Sequence, residues 1–195
     1  MLPGVIVLNS GDSLRGHKDV ERNTENAGGC WFRYPDNNSR PKKYYPTELK
    51  SYRIDNSKYY VSRDIKMEEG SISRYVFLEY LVKGYANLYY YRNGGTDIFF
   101  LEKDGELIEL SNDERRVAGQ GGKEYVAKSN RHVGVMKYAF SDAPQIFDEV
   151  NNTEFEYKSM VRVTKKYHNA VCHVYACIDY TKNTKAQHWI EPMGG

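Results

Sequence analysis

Through most of the first 110 positions, apolar and polar residues alternate with a period of two, the pattern of strands with one face turned to a core. Residues 4–9 predict a short strand, Asn9-Ser10-Gly11-Asp12-Ser13 supplies turn chemistry, and residues 14–20 predict the returning partner. Residues 30–34 predict a further strand between polar loops at 21–29 and 35–38. Tyr45-Pro46-Thr47-Glu48-Leu49 predicts a single helical turn starting on a proline. Two more strands follow at 50–54 and 58–65. The clearest stretch is 72–110, where strands at 74–82, 85–91, 97–101 and 106–110 are separated by Gly-bearing turns, an antiparallel meander. Within it Tyr85, Asn87, Tyr89 and Tyr91 share one face, and Ala86, Leu88 and Tyr90 the other. The second set is expected to face the core, and the tyrosines of the first to form a cross-strand cluster.

After Leu110 the period changes. Residues 111–130 are polar and carry Gly119, Gly121 and Gly122, which predicts a loop. Val133, Met136 and Phe140 then recur at helical spacing, and Ser141-Asp142 before Pro144 predicts a stop and a restart into a short helix over 144–150. The strongest helix is expected over 155–171, with Tyr157, Val161, Thr164, His168 and Val171 on one stripe and Lys158, Arg162, Lys165 and Lys166 mostly opposite. Thr153 and Glu156 have the spacing of a capping box. Ile178-Asp179-Tyr180 predicts one last strand, and residues 188–195 show no closing element. The chain therefore reads as α+β: a β region over 1–110, a loop over 111–130 and a helical region with a short strand over 131–195, forming one compact domain.

Composition narrows the function classes. The 195 residues carry a formal charge of only +2, which argues against a duplex-DNA binder with its concentrated basic surface. No apolar run is long enough for a transmembrane helix, and the N-terminus has neither a basic region nor an apolar stretch of leader length. Two readings remain open at this level: a cytosolic protein, or a mature segment whose leader has been removed. Eighteen tyrosines against seven phenylalanines are unusual, and a ring with a polar tip suits half-buried sheet faces.

The chemistry-bearing groups are few. His168, Cys172, His173 and Cys177 form the single cluster with metal-ligand character, but their spacing is irregular and His168 also fits the core stripe. If the protein is exported, Cys172 and Cys177 are expected to form a short-loop disulfide pinning the end of the helix. Cys30 has no spacing that pairs it with a histidine as a nucleophile. Gly119-Gln120-Gly121-Gly122-Lys123 lacks the spacing of a phosphate loop and reads as flexible chain. The paired carboxylates Glu68-Glu69 and Asp148-Glu149 read as solvated faces. Tyrosines on a sheet can stack bases, yet residues 85–91 contain no basic residue, so packing accounts for them better than nucleic acid does.

The order of motifs carries a resemblance. Gly4-Val5-Ile6-Val7-Leu8-Asn9-Ser10-Gly11-Asp12-Ser13-Leu14-Arg15-Gly16 resembles the opening "GYIVTLxGDTLxG" of a large group of uncharacterised Bacteroidetes proteins. Tyr45-Pro46-Thr47-Glu48-Leu49-Lys50-Ser51-Tyr52 is similar to their "YxPxDIKGF" segment. Phe77–Gly84 with Leu88-Tyr89-Tyr90-Tyr91 resembles "FLxxLVxGxxxLYYY", and Phe99–Gly105 with Leu110 resembles "YFIEKDGxLxEL". Val135–Tyr138, Phe140–Pro144, Tyr157-Lys158 and Lys165–Asn169 follow the group's helical portion. The resemblance implies a periplasmic N-terminal region that follows a signal peptide and precedes an outer-membrane β-barrel, whose first strand would begin near 189–195. Many members carry Cys where this chain has Ala143 and Ala170, so a bridge between those helices is missing and Cys172–Cys177 would have to serve instead.

The reading that follows is a non-enzymatic periplasmic module of an outer-membrane protein, without catalytic residue, metal or cofactor, that binds an envelope partner or a small ligand and neither binds nucleic acid nor crosses the membrane as a helix. The alternatives are a small envelope-associated enzyme of unknown reaction and a single-strand nucleic-acid module on the Tyr-rich sheet.

Overall fold

Short alternating runs closed by turn residues pair with their nearest neighbours in sequence, because a two- to four-residue connection brings antiparallel strands together at little entropic cost. The computed structural model describes residues 1–19, 27–35, 40–66, 73–112, 114–118 and 124–182. It falls into two compact units, Met1–Glu79 with the chain from Tyr180 onward, and Tyr80–Asp179. The boundary lies inside a strand, where period-two patterning runs on without a break and offers no linker signal.

The first unit is built from β1 (Leu2–Leu8), β2 (Ser13–Lys18), β3 (Cys30–Arg33), β4 (Lys42–Tyr44), β5 (Leu49–Ile54), β6 (Tyr59–Ile65) and the first part of β7 (Arg74–Lys83). Their antiparallel order is β7-β6-β5-β1-β2-β3-β4. Ile6, Cys30, Phe32, Tyr44, Leu49, Tyr52, Tyr60 and Phe77 form its core. Two expectations change here. Residues 45–49 make a turn rather than a helical turn: Glu48 N–H donates to the Tyr45 carbonyl at 2.9 Å, Tyr45 N–H donates to Glu48 Oε2 at 2.8 Å, and Leu49 already enters β5. β4 goes unpredicted, since three residues beginning Lys-Lys are too short to show alternation.

The second unit continues from the end of β7 through β8 (Asn87–Asn93), β9 (Thr96–Lys103) and β10 (Glu106–Leu110), in the order β7-β8-β9-β10. The β8–β9 and β9–β10 turns each place two residues at positive φ, Gly94 at 55° and Gly95 at 94°, Asp104 at 52° and Gly105 at 83°. Such turns match the twist of the flanking strands, and glycine or aspartate adopts them at low cost. β11 (Glu114–Ala118) and β12 (Glu124–Lys128) pair as a hairpin of their own. The loop expected over 111–130 is corrected at those positions: backbone hydrogen bonds form a hairpin without apolar alternation to announce it.

Helix α1 (Arg131–Ala139), a 3-10 turn (Pro144–Ile146), α2 (Phe147–Asn151) and α3 (Tyr157–Val171) follow, then β13 (Ile178–Asp179), which pairs with Val82 and Lys83. Leu81, Leu88, Phe99 and Leu101 from the strands share one core with Met136, Phe140, Met160 and Tyr167 from the helical part. An antiparallel meander with C-terminal helices against it is the α+β class expected. Ala86 and Leu88 face that core as predicted, and Tyr90 packs at its edge. On the opposite face Tyr89 lies against Tyr80, ring centroids 4.6 Å apart. On α3, Val161, Thr164 and His168 are buried as expected, and Met160, Val163 and Tyr167, each one position earlier, are buried with them. The capping box does not form: Thr153 Oγ1 donates to the Glu149 carbonyl at 2.7 Å, and the Glu156 carboxylate accepts from Ser159 Oγ at 3.1 Å. The readings placed at 20–26, 36–38, Glu68-Glu69, 119–123 and 188–195 lie outside the described residues.

Candidate binding surface around His168

The apolar stripe of α3 brings His168 into the second unit's interior with 3% of its surface exposed. A buried imidazole needs partners for both ring nitrogens, and here both partners are main chain. Nδ1 accepts from the Tyr85 N–H at 3.2 Å, and Nε2 donates to the Tyr175 carbonyl at 2.7 Å. An amide N–H only donates and a carbonyl only accepts, so this arrangement defines the neutral ring with its proton on Nε2. Gly84 permits the approach: a Cβ built there would stand 2.5 Å from Nδ1. Gly84 N–H in turn donates to Asn87 Oδ1 at 3.2 Å, which shapes the β7–β8 turn.

His168 thereby holds two chain segments 90 residues apart, and both present large side chains to solvent. Tyr85 is 58% exposed, Tyr175 76% and Val174 77%. The segment after α3 is fixed at further points. Cys172 Sγ accepts from Tyr175 N–H at 3.4 Å, and Lys165 Nζ meets Asp179 Oδ2 at 2.6 Å. Exposed rings on a fixed backbone lose little freedom on binding, which favours association.

Of the sequence-predicted residues, Cys172 and Cys177 are half-buried, with no bridge between them in this structure. Cys172 follows α3 in an extended conformation and turns its sulfur to the Tyr175 amide. His173 is exposed, and His168 has both nitrogens engaged. Among the described residues no group of three or more His, Cys, Asp or Glu is placed to hold a metal ion. Cys30 lies in the first unit's core, where burial pushes its thiol up to about 12, far from the thiolate a nucleophile needs. Of the Asp148-Glu149 pair, Glu149 meets Lys166 at 2.5 Å, which holds its carboxyl below the usual range.

Sequence reading missed a second linked cluster. Lys103 Nζ donates to Asp142 Oδ1 at 2.8 Å and to the Ala139 carbonyl at 2.7 Å, and Tyr167 OH donates to Asp142 Oδ2 at 2.9 Å. Burial pushes the Asp142 carboxyl up, but hydrogen bonds from Lys103 and Tyr167 outweigh it and hold the group below its ordinary value. Burial also raises the Tyr167 phenol. Its ring stacks on Phe140 with centroids 4.1 Å apart, so the cluster fastens β9 and α3 to the end of α1. No spacing rule joins residues 103, 142 and 167, and only the packed helices bring them together.

Comparison of the chain with protein-family models, with curated proteins and with solved structures finds no match.

Proposed function

We propose that this chain is a non-enzymatic binding module of the bacterial cell envelope, the periplasmic region of an outer-membrane protein, and that it docks a partner or ligand through the aromatic surface around His168. The observation that carries this reading is the pinning of the Tyr85 and Tyr175 backbones by one buried ring, with both side chains left open to solvent. Tyrosine is favoured at interface centres because it offers a large contact area at low entropic cost. The envelope location rests on the motif order described above.

Site-specific photo-crosslinking in the native host tests it. A benzoylphenylalanine in place of Tyr85 or Tyr175 is expected to yield one discrete adduct, and the same group at the exposed Lys158 to yield none. Recovery of the full native gene product in the cytosolic fraction overturns the location. Absence of any adduct at 85 and 175 in exported protein overturns the binding role.

A further inference from the structure

The first unit carries a different kind of surface. On β3, Cys30 and Phe32 point into the core, so Trp31 and Arg33 occupy the opposite face by the two-residue period. Directly opposing residues share a face, and the register sets His17 beside Arg33 and Lys43 beside Trp31. Arg15 lies two residues before His17 on β2, and Tyr45 two residues after Lys43. Tyr45 is 50% exposed, and Lys43 Nζ sits 5.1 Å from its ring centre. The outer face of β2-β3-β4 therefore interleaves four basic side chains with two aromatic ones.

Among the described residues the charges on this face are poorly matched from within. Arg15 reaches Asp55 at 3.1 Å, but among the described residues His17, Arg33 and Lys43 have no carboxylate partner. The nearby Lys42, by contrast, turns to Glu48. Among the described residues Arg33 Nε has no hydrogen-bond acceptor. Guanidinium groups meet carboxylate and sulfate oxygens in a two-pronged geometry, and a ring such as Tyr45 offers its face to a flat ligand surface.

We propose that this face binds an acidic polysaccharide, with its carboxylate or sulfate groups on Arg33 and Lys43 and a sugar ring on Tyr45. A nucleic-acid strand fits less well, because single-strand platforms stack successive bases on several exposed rings, and this face offers one half-exposed tyrosine. The proposal concerns the first unit and is independent of the surface around His168.

Binding of polygalacturonate, a heparin oligosaccharide and oligo-dT to the whole chain, at ~50 mM salt and again at physiological strength, decides it. Binding to the two acidic glycans is expected, weakening with salt, and reduced about tenfold in the double variant Arg33→Gln/Lys43→Gln. Tyr45→Ala is expected to weaken the glycans about threefold without changing the urea midpoint. Lys43→Gln alone, on a half-buried strand position, keeps the test valid if Arg33→Gln disturbs folding. Lys137→Gln/Lys158→Gln in the second unit is the control for diffuse charge. No glycan binding at low salt, an equal loss in the control, or tighter binding of oligo-dT than of either glycan overturns the proposal.

Discussion

The two units fill their cores by different means. In the first, which has no helix among its described residues, aromatic rings on the strands do the filling: Tyr52 stacks on Tyr60 at 4.6 Å and meets the edge of Phe77 at 4.9 Å. The polar tips reach each other at the rim, where the Tyr34 and Tyr44 hydroxyls lie 2.6 Å apart. In the second, helices cover the sheet, and Leu81, Leu88, Leu101, Met136, Met160 and Val163 dominate the space between them. The contrast accounts for Tyr44, Tyr52 and Tyr60 in the first core. A strand whose core-facing side chains must span the gap themselves needs long, flat rings, whereas a helix delivers aliphatic side chains at close range.

The largest predicted effect falls in the helical core. Tyr167→Ala removes a fully buried ring and should cost about 3–5 kcal/mol by the usual large-to-small scale. In urea, the helical circular-dichroism signal should lose stability by that amount, while protection of the Cys30 thiol in the first unit falls by less. Equal losses in both would break the contrast between the units. Next comes Gly84→Ala, whose new Cβ collides with the His168 ring and should cost about 1–3 kcal/mol, read from the same unfolding curves.

Asp142→Asn should cost about 1–2 kcal/mol near neutral pH, mainly because Lys103 loses its charged partner; the half-exposed carboxylate limits the effect. Since the folded state lowers the Asp142 value, its contribution is present above the unfolded carboxylate value of about 3.9 and lost as the pH falls through the folded one. The gap between wild type and variant should therefore close in acid. The smallest effect belongs to the first unit. Lys18, 2% exposed, sits near Cys30 with its ammonium 5.4 Å from the Tyr52 ring centre, and burial pulls its value down. A lowered lysine value means the unfolded chain holds the extra proton, so the wild type should gain stability relative to Lys18→Met as the pH rises toward about 10.4. A difference between the two proteins that does not move across that range would show that packing, not desolvation of the charge, governs the substitution.

How much was legible can be followed residue by residue. The Gly94-Gly95 and Asp104-Gly105 turns could be read because each needs positive φ that few residue types adopt. Helix α3 was legible from its stripe, though the buried face is wider and takes in Met160, Val163 and Tyr167, since periodicity finds a face but not its width. The hairpin at 114–118 and 124–128 was not legible, because its pairing is backbone chemistry. His168 appeared as both a core residue and a candidate ligand. Only its contacts with Tyr85 and Tyr175 separate those roles.

The sequence by itself determined the class of fold, the local pairing of strands, the turns and the existence of the helices. These depend on neighbours close along the chain, where periodicity and turn chemistry act directly. The tertiary structure alone decided the division inside β7, the union of Lys103, Asp142 and Tyr167, and the gathering of His17, Trp31, Arg33 and Lys43 on one sheet face. Each of those depends on register and packing between residues far apart in the chain, which no local pattern encodes.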